Sequence, residues 1–281
     1  MLTIHNIEKK FKRKTVLDNL SYVFYPGVYG LLGPNGAGKT TFMRCLTNQY
    51  QLNQGSIKFQ GNPIHNNAEY LARVGYLPQH FGLFKELKVI DMMLLLANLK
   101  GVAQSSARKM AEQCIEIVNL SDVSSNRVAT LSGGMIRRLG IAQALLNDPL
   151  VIIFDEPTTG LDPEERLRFK NIVRQIHQDK TIIISTHIVE DVEAVCDTIT
   201  IMNNGRITRE GSCADIQALA DGKVFWVPEK EQSMIQGIYY LQKQSEVAGM
   251  LMQKILSNTP QAFEAALPSV EDGYICELKN I

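Results

Sequence analysis

No sign of charge dominates this chain: 29 lysines and arginines face 29 aspartates and glutamates, a net charge of zero. That balance argues against a protein whose main task is to hold nucleic acid or an anionic membrane surface, both of which call for a basic excess. Cysteine is scarce, with five residues that are widely spaced and form no CxxC pair. They supply neither a disulfide framework nor a zinc site, and they suit a reducing compartment. Long apolar runs are missing as well. The longest lies near residues 92–99, well short of the roughly 20 residues a membrane-spanning helix needs. The start, Met1-Leu2-Thr3-Ile4-His5-Asn6, lacks the basic residues and apolar run of a secretory signal. The expectation is a chain that does not cross a membrane by itself and can be held against one by a partner. What is present is ordinary for a globular protein, 45% hydrophobic and 21% charged. Its 281 residues suffice for two folding units at about 150 residues each, stable without disulfides or structural metal.

Residues 2–7, 22–25, 28–32 and 55–61 read as short strands, the last alternating Ile57 and Phe59 with Lys58 and Gln60. From about residue 91 to 120 the spacing turns helical. Met92, Leu95, Leu96 and Leu99 form one stripe, and Met110, Cys114, Ile117 and Val118 another. Residues 150–154 and 181–185 are continuously apolar, as expected of parallel strands covered on both faces. Between them, Asp162-Pro163-Glu164-Glu165 predicts a helix start with Asp162 as N-cap and Glu165 closing a capping box. The helix is expected to bury Leu167, Ile172, Val173 and Ile176 within a right-handed βαβ crossover. The tail, residues 213–281, reads as a strand at 224–227, helices around 232–254 and a strand at 274–278.

The most specific feature is Gly33-Pro34-Asn35-Gly36-Ala37-Gly38-Lys39-Thr40, a complete GxxxxGK[ST]. It follows the apolar run 28–32 and precedes a helical stretch beginning at Thr41, the context in which the motif binds phosphate. The glycines let backbone N–H groups turn inward around an anion, and the helix N-terminus adds its partial positive charge. Lys39 can reach the β- and γ-phosphates, and the Thr40 hydroxyl can ligate Mg²⁺. The glycine order does not fit the dinucleotide fingerprint GxGxxG.

Asp155 and Glu156 follow the second strong strand, at the carboxyl end where open α/β sheets place their ligands. Asp155 is expected to hold Mg²⁺ through water, and Glu156 to act as general base on the attacking water.

Between these two halves lies Leu131-Ser132-Gly133-Gly134-Met135, and with it the chain resembles the nucleotide-binding subunit of ATP-binding cassette (ABC) transporters. The family signature is LSGGQ; here LSGG is intact and Met135 replaces the glutamine. Tyr76-Leu77-Pro78-Gln79 is similar to the family's Q-loop, which implies that Gln79 senses magnesium and the attacking water. Gly160-Leu161-Asp162 resembles the D-loop, His187 the switch histidine, and Phe11 the aromatic position that stacks on adenine. Ser132, Gly133 and Gly134 also make physical sense as a second anion-binding helix start. The resemblance implies that they complete the phosphate-loop site of a second cassette, in a dimer of two copies or of one copy and a relative, with two ATP molecules at the interface. It covers residues 1 to about 211.

The fold expected is α/β: a P-loop NTPase core with an antiparallel β subdomain and an inserted helical signature subdomain at about 85–145. Residues 1–211 form the ATPase domain, and 212–281 a small α+β C-terminal extension. Leu267-Pro268-Ser269-Val270-Glu271-Asp272-Gly273-Tyr274 is similar to the ending of bacterial subunits that pair with separate permeases of the drug, antibiotic-peptide and lipid exporter (ABC-2) class. The resemblance therefore implies a cytoplasmic ATPase using ATP and Mg²⁺, peripheral on the inner face of the cell membrane through a membrane-spanning permease; from the charge balance no nucleic-acid partner is expected. The alternative is a soluble non-transport cassette, for example of the cluster-assembly type. A cassette with dead sites fits less well, because Lys39, Asp155, Glu156 and His187 are all present. The basic cluster Lys9, Lys10, Lys12, Arg13 and Lys14 reads as a solvated turn, and Cys45 as a small buried hydrophobe.

Overall fold

The structure is a computed structural model and describes residues 1–247 and 249–281. The chain divides into two compact units, Met1–Thr208 and Arg209–Ile281. The first begins with a hairpin of β1 (Leu2–Phe11) and β2 (Lys14–Phe24), turning at Lys12 and Arg13. Next come β3 (Gly27–Leu32), α1 (Lys39–Leu46), β4 (Gln54–Phe59), β5 (Asn62–Pro63), α2 (Ala68–Ala72) and β6 (Val74–Leu77). The helical insertion carries α3 (Val89–Leu99), α4 (Gln104–Ile117) and α5 (Gly133–Leu145). Then β7 (Val151–Asp155), α6 (Pro163–Ile176), β8 (Thr181–Thr186), α7 (Val189–Glu193) and β9 (Thr198–Asn203) return to the core, with β10 (Arg206–Gly211) at the edge.

Two sheets frame this unit. The antiparallel sheet runs β2-β1-β4-β5, and the six-stranded sheet runs β10-β9-β3-β8-β7-β6. From β9 to β6 the six-stranded sheet is parallel, so its strand ends share one side, where β3, β7 and β8 deliver their loops. Strands β7 and β8 are buried at every residue, as their unbroken apolar runs require.

The sequence expectations hold here with corrections. Helix 91–120 is two helices, broken at Gly101 (φ 76°) and Val102. On α6 the buried stripe is Phe169, Ile172, Val173 and Ile176, whereas Leu167 is 55% exposed because it lies on the opposite face at helical spacing. Asp162 does cap α6, accepting the Glu165 amide at 2.8 Å. Glu165 does not complete a capping box; its carboxylate takes Arg138 and Arg168 instead, each at 3.0 Å. Among the described residues no helix is long and apolar enough to cross a membrane.

Lys100 follows α3 and donates its ammonium to the carbonyls of Gln143 (3.4 Å) and Leu146 (3.3 Å). Burial pushes its pKa down to about 8. Between pH 8 and the ordinary lysine range the unfolded chain holds this proton and the folded chain does not, so stability rises with pH across that window. The urea midpoint of the wild type, relative to that of Lys100→Met, is therefore expected to rise between pH 7.5 and 9.5; a constant or falling difference would contradict this placement.

The second unit contains α8 (Cys213–Ala218), β11 (Val224–Pro228), β12 (Tyr239–Val247), β13 (Met250–Ser257), β14 (Glu264–Ala265) and α9 (Val270–Lys279). Its sheet runs β12-β13-β11-β14. The helices expected around 232–254 are a short 3-10 turn (Glu229–Met234) followed by the β12–β13 hairpin; Ala248 lies outside the described residues. Cross-strand burial overrides the helix-forming composition. The paired Val224 and Leu256 join one apolar cluster and the paired Phe225 and Ile255 another, the two-face alternation of a strand. The strand expected at 274–278 is helix α9. A capping box of Ser269 and Asp272 starts it, and Asp272 also receives Lys254 at 2.6 Å in a buried pair.

Candidate functional site

The phosphate loop occupies the turn from β3 to α1. Gly38 has φ 107°, and a Cβ there would come within 2.9 Å of the Val16 carbonyl, so only glycine suits the close approach to β2. No side chain caps α1 and its first turn holds no acid, leaving its N–H groups for an anion. The Lys39 ammonium lies under the loop, donating to the carbonyls of Gly33 (2.6 Å) and Pro34 (3.4 Å) and standing 3.6 Å from Glu156 Oε1. Its burial pushes its pKa down, opposed by the carboxylates of Glu156 and Asp155.

Asp155 ends β7, fully buried, with Oδ1 accepting from Ser185 Oγ at 2.6 Å. Its Oδ2 is buried and has no hydrogen-bond partner among the described residues. Glu156 adopts a left-handed backbone (φ 50°), an uncommon conformation for a side chain of this type. Its amide bonds the Ser185 carbonyl at 3.1 Å, while Oε2 accepts from Thr159 Oγ1 (2.9 Å) and meets His187 Nδ1 (2.9 Å). The β8 strand sets this up, since Ser185 is its penultimate residue and His187 follows its end.

A cavity of about 510 Å³ brings most of the predicted residues together. Pro34, Asn35, Gly36, Ala37, Gly38, Lys39, Thr40, Thr41, Gln79, Glu156 and His187 line it. Gly33 enters through its carbonyl and Asp155 sits behind Ser185. Phe11 does not line it. The ring, 41% exposed, packs edge-on to Tyr50 at 5.2 Å with the Lys9 ammonium 4.9 Å from its centre. Its strand, β1, runs between β2 and β4. Asp162 caps α6 and is no part of the cavity wall. Ser132, Gly133 and Gly134 do not line it either: Ser132 Oγ caps α5, accepting the Met135 amide at 3.3 Å, and Ser132 and Gly133 are exposed.

The ABC transporter family model matches residues 17–159. The Nod factor export ATP-binding protein I of Burkholderia lata is 38% identical over 214 residues, 75% of this chain and 70% of that protein. Its counterpart in Paraburkholderia xenovorans is 40% identical over 209 residues, 73% and 69%. This chain belongs to the ABC transporter family. Among solved structures, an ATP-binding subunit of an ABC transporter matches with a TM-score of 0.70 at 26% identity, over 78% of this chain and 92% of that one. A dimeric ATP-binding cassette in a post-hydrolysis state with ADP and Pi matches at 0.67 and 22% identity, over 75% and 98%; it speaks for the fold.

As an ABC cassette, the chain is the ATP-binding and ATP-hydrolysing subunit of a transporter. Three residues of this ABC site have no role in the sequence reading. Lys14 was assigned to a solvated turn, yet it opens β2 and lines the cavity. Thr159 holds Glu156, and Ser185 holds Asp155. For Ser185 a signal existed: a hydroxyl after the apolar run Ile182–Ile184, two residues before the histidine.

Proposed function

We propose that this chain is the ATPase of a bacterial exporter of the drug, antibiotic-peptide or lipid class, working as a homo- or heterodimer of cassettes beneath a membrane-spanning permease. The observation that carries the reading is the gathering of the loop Pro34–Thr41, Gln79, Glu156 and His187 around one cavity, with Ser132–Gly134 outside it. One chain thus holds a phosphate cradle and, outside its cavity, a second anion-binding helix start, which another cassette would use. The exporters in Burkholderia and Paraburkholderia support the direction of transport.

The residues present also fit Mg²⁺. Asp155 Oδ2 is buried with no partner among the described residues, and the hydroxyl of Thr40 and the amide oxygen of Gln79 add to the hard oxygen donors that this ion takes. When bound with ATP, the ion would neutralise charge on the phosphates. The loop amides and Lys39 bind and orient the triphosphate. Glu156 accepts a proton from the attacking water, and Thr159 and His187 hold its carboxylate in place. Hydrolysis yields ADP and phosphate, and loss of the γ-phosphate removes contacts that favour the closed dimer. Residues 1–211 act as the ATPase domain and 212–281 as an accessory region.

A groove of about 300 Å³, lined by Leu71, Tyr76, Leu96, Leu99 and Lys100 among others, is our proposed permease seat. Leu99 is 74% exposed there and Leu71 44%, an apolar surface fit for a partner helix. Docking there would place the chain in the cytoplasm, on the inner face of the membrane. Affinity capture of the Glu156→Gln variant with ATP and Mg²⁺ from detergent-solubilised membranes tests this. A polytopic membrane protein recovered in proportion is expected; soluble partners alone would move the chain to the non-transport cassettes.

A further inference from the structure

We propose that Arg137 is a positioning residue that couples this chain's own phosphate-loop site to the Ser132–Gly134 helix start it offers a second cassette. This rests on the reading above that those residues act on the partner's nucleotide. Arg137 lies one turn into α5, the helix that Ser132 caps. Its guanidinium is buried and, among the described residues, donates only to main-chain carbonyls. Nε reaches Pro157 at 2.7 Å, one terminal nitrogen reaches Gln79 at 3.1 Å, and the other reaches Asp155 at 3.2 Å and also Glu156.

The fork therefore grips the backbone of three residues assigned to the ATP site, on two separate segments, from the helix that leads to the other site. A buried cation held by carbonyls loses heavily if those bonds break. Movement of Gln79 or Glu156 must then either carry α5 with it or leave the charge unsatisfied. The junction is also tight sterically. Phe81 lies against the Arg137 guanidinium, 5.6 Å from ring centre to Cζ. The same ring abuts Gly140, where an added Cβ would fall 2.4 Å from it. Arg138, the next residue, fastens α5 the other way, to the carbonyls of Val118 (2.9 Å) and Asn119 (2.8 Å) and to Glu165 of α6. Helix α5 is thus clamped between the end of α4 and α6 on one side and the catalytic edge on the other, where Arg137 is the clamp. A lysine keeps the charge but cannot span both segments, because it lacks the rigid planar fork.

The test compares Arg137→Lys with its parent in the Glu156→Gln background. ATP-driven dimerisation of the parent checks the underlying reading by itself; a parent that stays monomeric removes that reading, and this inference with it. Given a parent that dimerises, Arg137→Lys is expected to bind ATP as a monomer within about threefold of the parent and to dimerise about tenfold more weakly, a typical coupling between sites. In the hydrolysing background it lowers kcat with little change in KM and brings the Hill coefficient for ATP towards one. Dimerisation equal to the parent's overturns the proposal, as does an equal loss of monomer binding and dimerisation. A measurement without the Arg137 substitution guards against misfolding. At concentrations that keep the Glu156→Gln chain monomeric, ATP should alter amide hydrogen exchange at residues 133–138 together with 79–81 and 155–157. Exchange at 133–138 that ignores ATP also overturns the proposal.

Discussion

The Glu156→Gln variant is expected to bind ATP at least as well as the wild type and to hydrolyse it about a hundred- to ten-thousand-fold more slowly, the range for loss of a positioned general base. The substitution is nearly isosteric. A glutamine keeps an acceptor oxygen for the Thr159 hydroxyl, which Oε2 now receives at 2.9 Å, so the loop from Pro157 to Gly160 has no reason to move. What is lost is the ability to take a proton from water. What is also lost is a negative charge 3.6 Å from the Lys39 ammonium and beside the place where phosphate is to bind. Removing it leaves Lys39 freer to pair with the nucleotide and lessens repulsion of the γ-phosphate. Binding without turnover should then accumulate a closed dimer, seen by light scattering only when ATP and Mg²⁺ are present. Turnover at the wild-type rate would show that Glu156 is not the base.

The site was legible where its parts are contiguous in sequence. Gly33 to Thr41 carries its own context of strand and helix, and Asp155-Glu156 ends a strand that could hardly lie anywhere but in the core. Gln79 and His187 needed the family pattern, because a lone polar residue after a strand is commonplace. Lys14, Thr159 and Ser185 were not legible as parts of the site, nor was Arg137 as the side chain that braces it. Arg137 bonds carbonyls, which every residue has, on segments 58 and 20 positions away, so no residue type marks its partners. In the tail the misreading had a different cause. Residues 232–254 are rich in helix formers, yet pairing of β13 with both β12 and β11 decides their structure. The helix α9 is written in the capping box of Ser269 and Asp272, a local start signal that outweighs the strand reading of 274–278.

Lys39→Ala is expected to raise the dissociation constant for ATP by roughly a hundredfold, the upper range for one hydrogen bond to a charged group, and to abolish measurable hydrolysis. The wild-type Lys39 side chain is only 6% exposed, and its ammonium is held by two loop carbonyls and the Glu156 carboxylate. These partners do not make up for water: burial is the leading influence on its pKa and drives it down. A base whose folded pKa lies below its unfolded one is charged at a cost to the fold, a cost that lessens as pH rises through that interval. Phosphate supplies the full anionic partner that the carbonyls lack, so binding energy is concentrated on this one amine. Folding and binding should consequently separate in Lys39→Met, which keeps the length of the side chain. Its melting temperature should be no lower than that of the wild type, while its ATP affinity falls as far as that of Lys39→Ala. Isothermal titration with ATP and Mg²⁺ beside a thermal melt decides it: affinity within threefold of the wild type would mean that the loop amides, not Lys39, carry the phosphate.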